Sequence, residues 1–109
     1  MEEELLQDLR NYLGSDYTEE QEPTLLFCIK RAITTFKNKR DYPAAYSEER
    51  IKKDMEKKYA CIWDDVLYWC NMQGVEFQKS HSENGVSRSW SSEDEIYSFH
   101  GILPIARIV

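Results

Sequence analysis

The chain is poor in the residues that most small catalytic sites require. His81 and His100 are its only histidines, and neither stands at a metal-ligand spacing from a cysteine. Zinc sites and Cys–His nucleophiles are thereby disfavoured, no cofactor is implied, and both histidines are expected to serve structure. Cys28, Cys61 and Cys70 are an odd number set within apolar helical patterns, which predicts buried free thiols rather than a disulfide framework. The four glycines, at 14, 74, 85 and 101, are isolated, so there is no phosphate-cradling loop and nucleotide hydrolysis is excluded. No apolar run approaches the roughly 20 residues of a membrane span. The opening MEEELLQDL is acidic and amphipathic, unlike a secretory leader, so the protein is expected to stay in the cytosol where it is made.

What is present suits one folded domain spanning 1–109. Hydrophobic residues make up 41%, charged residues 31% and aromatic residues 13% of the 109, enough apolar bulk for a core. A domain this small leaves much of its surface in water, and oligomerisation is one way to bury the remainder. The net charge of −6 is segregated: residues 1–22 carry −7, residues 23–60 carry +5 and residues 61–109 carry −4. Alternating blocks favour head-to-tail contact between copies, or with oppositely charged partners, over general nucleic-acid affinity.

The periodicity predicts a mainly α protein, a small bundle of three to four helices with one long central helix. Leu5, Leu6, Leu9 and Leu13 mark a first helix that Gly14 ends. A polar connector follows, in which Thr18 and Gln21 could form a capping box. Leu25, Leu26, Ile29, Ala32, Ile33 and Phe36 mark a second helix, with Pro23 in its first turn and Lys37, Lys39 and Arg40 at its negative pole. Ser47 then caps a long third helix through Ile51, Met55, Tyr59, Ile62 and Val66, whose later half is apolar on more than one side and needs several neighbours. After Gly74 the period changes to two around Asn84-Gly85, which predicts a β-hairpin or extended loop over about 75–90. Ser92 and Glu95 form a capping box for a short final helix through Ile96, Phe99 and Ile102, stopped by Pro104 and followed by an extended apolar tail.

Candidate sites are surfaces rather than catalytic clusters, and no enzyme is expected. Asp64 and Asp65 are about 100° apart on a helix, unable to face one substrate together, and are expected on solvated surface. The ten bases between Lys30 and Lys58, with Arg50, Lys52, Lys53, Lys57 and Lys58 as the core of the patch, read as a salt-bridged solvated face or as a patch meeting an acidic surface or DNA phosphates. The loop residues Lys79, His81, Asn84, Gly85 and Arg88 are candidate partner contacts. The tail residues Pro104, Ile105, Ile108 and Val109 either fold back on their own core or add a strand to a neighbour.

The order of elements carries a resemblance. A short acidic helix, the helix EPTLLFCIKRAITTFKNKRDYP ending in the aromatic–Pro turn Tyr42-Pro43, a long helix, the loop KSHSENGVSRSW and the ending SSEDEIYSFHGILPIARIV together resemble the head–tail connector, or adaptor, proteins of tailed bacteriophages and prophages. The likeness covers nearly the whole chain. Its most telling parts are SENGVSRSWSSEDEI, similar to that family's polar loop and G-variable-S strand, and the closing ILPIARIV. The resemblance implies a structural virion protein that assembles as a ring under the portal, extends the DNA channel and docks the next neck, stopper or tail component. Genomic DNA would pass without sequence reading, assembly would occur in the host bacterial cytoplasm, and the mature location would be the virion neck, with no membrane contact. The alternative reading is a small helical DNA-binding regulator using the basic segment 30–58.

Overall fold

The computed structural model describes residues 1–75 and 90–105. The protein is mainly helical, as its periodicity predicts, and among the described residues there is no strand. The first helix, α1, spans Glu2–Leu13 and buries Leu5, Leu9 and Leu13 on one face, with three glutamates in its first turn. Gly14 ends it at φ 56°, donating its N–H to the Arg10 carbonyl. The connector winds through two 3₁₀ turns, Gly14–Asp16 and Glu19–Gln21. Thr18 and Gln21 form the expected capping box, the Thr18 N–H donating to the Gln21 side chain at 3.1 Å and the Thr18 side chain accepting from the Gln21 N–H. Arg10 bridges this connector by donating to Glu22 at 2.6 Å and to the Tyr17 hydroxyl at 3.3 Å.

Helix α2, Glu22–Arg40, is the long central element and packs most extensively against α4 (Tyr59–Met72), with α1 on another side. Leu25, Cys28, Ile29, Ala32 and Phe36 of α2 meet Cys61, Ile62, Val66 and Cys70 of α4 in one core. All three cysteines are buried and free, as their setting predicts. Burial pushes the Cys61 thiol up to about 12. The apolar α4 finds its several neighbours: α2, the final helix α5 (Glu93–Phe99), and α1, where Trp63 meets Tyr12 edge-on at 5.5 Å.

The long third helix expected from the sequence is two helices. Helix α3, Glu48–Lys57, opens on Ser47, whose hydroxyl accepts from the Arg50 N–H, and α4 starts only after a break at Lys58 (φ −105°, ψ 22°). There the Lys58 N–H is shared between the Asp54 and Met55 carbonyls, tightening the turn. The apolar stripe continues through Ile51, Met55, Tyr59 and Ile62, so periodicity alone gave no sign of the interruption. The break lets α4 lie along α2 while Asp54 of α3 reaches the end of α2.

Two glycines close helices by the same device. Gly74 (φ 80°) and Gly101 (φ 66°) occupy the left-handed position, and the next residues, Val75 and Ile102, donate back to Cys70 and Tyr97 and bury their side chains. Val75 therefore belongs to the α4 cap, and the rest of the expected hairpin lies outside the described residues, apart from Trp90. The final helix ends at Phe99, a full turn before Pro104, because Gly101 stops it first.

Candidate functional site

The C-terminal segment is held by a knot at the end of α2. Arg40 is 8% exposed, a depth a guanidinium tolerates only when its donors are satisfied. Its Nε and Nη2 donate to the two Asp54 carboxylate oxygens at 2.9 and 2.8 Å, and its Nη1 donates to the Leu103 carbonyl at 2.9 Å. The Tyr42 hydroxyl donates a third hydrogen bond to Asp54 at 2.7 Å. Burial works to raise the Asp54 carboxyl, but the hydrogen bonds from Arg40 and Tyr42 prevail and hold it below the usual carboxylate range. One arginine thus joins α2, α3, the Tyr42 turn and the start of the tail.

A polar seam fixes α5 to α4. His100 pairs with Asp64 at 2.7 Å, Tyr97 donates to Asp65 at 2.7 Å, and the Trp69 indole donates to Glu93 at 2.7 Å. Partner numbers rise on one helix as they fall on the other, the register of two antiparallel helices. Lys39 adds an ion pair from α2 to Asp94. These positions correct the expectation that Asp64 and Asp65 lie on solvated surface. Asp65 is fully buried, its Oδ1 has no hydrogen-bond partner among the described residues, and burial with the nearby Glu93 carboxylate pushes its carboxyl up to about 8, against the pull of Tyr97. A carboxyl so placed holds its proton at neutral pH and acts as a neutral core group.

The candidate contact residues fall into three sets. Pro104 and Ile105 are half-buried beside the knot, whereas Leu103 is 58% exposed. Ile108, Val109 and the loop positions Lys79, His81, Asn84, Gly85 and Arg88 lie outside the described residues. Among the bases, Arg50, Lys52, Lys53 and Lys57 are exposed and Lys58 is half-buried at the helix break. At about 100° per residue, Arg50, Lys53 and Lys57 share one side of α3, while Lys52 turns to the other flank. Arg50 covers the Tyr46 ring at 4.0 Å and Lys53 pairs with Glu49 at 3.8 Å, so part of this face is already internally matched.

Lys52 borders a groove of about 630 Å³ where α1, α2 and α3 meet. Met1, Ile33, Ile51 and Met55 supply its apolar surface; Glu2, Glu3, Glu48, Lys37 and Lys52 supply its charged rim. Sequence reading missed this groove because its lining comes from three helices whose mutual placement no local pattern encodes. It also missed Arg40 as a knot: a base in a last helical turn reads as a dipole partner, and the signal for more was a long-range one, Asp54.

Among the described residues no group of three or more His, Cys, Asp and Glu side chains converges as a metal cage, and no helix is long and apolar enough to cross a membrane. Comparison of the chain with protein-family models, curated proteins and solved structures finds no match.

Proposed function

We propose that this protein is a structural assembly subunit of the head–tail connector kind, forming a ring under a phage portal, extending the DNA channel and docking the next neck or tail component. The observation that carries this reading is the anchored C-terminal segment. Arg40 and the Gly101 cap fix the backbone up to Leu103, yet the Leu103 side chain is left 58% exposed at the head of an apolar sequence. A large aliphatic group held outward by a rigid backbone suits contact with another molecule. The segregated charge supports the same reading, since acidic α1 and the basic side of α3 offer unlike surfaces to neighbouring copies.

In this proposal the subunit is not an enzyme, assembles in the host cytoplasm and resides at the virion neck. The DNA-binding regulator has less support, because Glu49 and Glu56 stand among the bases of α3 and break the patch that phosphates would need. The test is to incubate the purified protein with portal rings encoded beside it and image the mixture by negative stain. An added tier below the portal is the expected result; portal rings left bare at saturating protein would refute the proposal.

A further inference from the structure

The break at Lys58 has no cause in its own stretch of sequence. Sharp interruptions of a helix are ordinarily made by proline or glycine, and neither occurs between Ser47 and Met72. Lys57, Lys58 and Ala60, which surround the break, are good helix formers. What separates the two helices is tertiary. Asp54, one turn before the break, is held at the end of α2 by Arg40 at 2.9 and 2.8 Å and by Tyr42 at 2.7 Å. Tyr59, just after it, donates its hydroxyl to Asp8 of α1. We propose that α3 is a hinged arm that swings about Lys58 into line with α4, and that the grip of Arg40 and Tyr42 on Asp54 is the catch that keeps it at the end of α2.

The arm is lightly held apart from that catch. Helix α3 buries one residue, Met55, whereas α4 buries five. Ile51 and Asp54 are half-buried and the remaining residues of α3 are exposed. Swinging out therefore gives up one methionine and part of one isoleucine besides the bonds to Asp54. The connection to α2 leaves room for it. Residues 41–47 can span about 23 Å when extended, against an arm of about 15 Å, and they are now drawn in by a turn in which the Tyr46 N–H donates to the Pro43 carbonyl. In line with α4 the arm completes one helix from Glu48 to Met72, about 37 Å long at 1.5 Å per residue. The stripe of Ile51, Met55, Tyr59, Ile62 and Val66 then runs along a single helix, as its unbroken period allows. Ile51 and Met55 leave Ile33 and Met1, beside which they line the groove, so the swing uncovers apolar surface on both sides. Hinge motion of one packed element about a few residues is an ordinary form of two-state change.

The experiment compares the full chain with Asp54→Ala and Tyr42→Phe by NMR, with no partner present. Loss of the Arg40 fork should raise the population of the in-line state by about tenfold or more. In Asp54→Ala the Lys58 α-carbon shift should move to its helical value, and contacts between α-protons and amides three and four residues on should run without interruption from Met55 to Ile62. The methyl signals of Ile29, Val66 and Ile96, which report the core, should hold their positions. Tyr42→Phe removes one bond of the catch and should move the Lys58 signal the same way by a smaller amount. A Lys58 signal unchanged in Asp54→Ala overturns the proposal. Should Asp54→Ala fail to fold, Tyr42→Phe decides alone: a shift at Lys58 with the core signals in place supports the hinge, and a stationary Lys58 or a core that loosens together with α3 overturns it.

Discussion

Arg40 is kept in a nearly dry site by Asp54 and by the Leu103 carbonyl, so its removal strands a carboxylate as well as losing a fork of hydrogen bonds. Arg40→Leu should lower stability by about 3 kcal/mol, the range for breaking a buried pair from one side, and Arg40→Lys should recover little, since an ammonium cannot bond both oxygens and the carbonyl with that geometry. Urea midpoints of the three proteins check both statements. Asp65 makes the opposite kind of residue. Its folded pKa of about 8 lies above the ordinary carboxyl value of about 4, so the folded state binds the extra proton across that interval. Stability must therefore fall as pH rises from 4 to 8. Asp65→Asn should flatten that slope and be the more stable protein at pH 8.5, with the gap closing toward pH 5; parallel profiles in urea would contradict the assignment. Asp54 acts on the acid side, where its lowered pKa means that stability is lost as pH drops below the ordinary carboxyl range. Neither carboxyl stood out in the sequence, because Asp54 sits among lysines and Asp65 follows another aspartate, and burial is a property of the assembled helices.

Helix ends were the most legible elements. Ser47 and Ser92 cap α3 and α5 as their sequences predict, each accepting a backbone N–H three residues on. In the second box Glu95 reaches back to the Ser91 N–H rather than to Ser92, one residue earlier than the pattern suggests. Gly14 ends α1, and the stripe of α2 buries all six of its predicted members, Leu25, Ile29, Ala32 and Phe36 wholly and Leu26 and Ile33 in part. What could not be read was the break at Lys58, since a 3.6-residue period survives a local change of hydrogen bonding. Gly101 was equally hidden: Pro104 looked like the stop for α5, while the left-handed glycine three residues earlier does that work. Gly101→Ala should cost about 1–2 kcal/mol, the penalty for a side chain in the left-handed region. The loss should show as a lower urea midpoint, and because this cap directs the chain toward Arg40, faster amide exchange at Ile102 should accompany it.

At the scale of the whole molecule, α2 and α4 form the rigid centre, α5 is bolted to them by the seam, and the C-terminal segment leaves from a fixed point at Arg40. The helical class followed from periodicity, and the free buried thiols from the setting of the cysteines. The groove did not, because it exists only where three helices meet. The account treats the outward Leu103 as a surface left for other subunits, so the most direct measurement is the mass of the species formed on purified portal rings, read by native mass spectrometry. A discrete complex heavier than the portal by many whole copies of the 13.0 kDa chain is the predicted result. Portal rings of unchanged mass beside free 13.0 kDa chain, at every concentration tried, would contradict it.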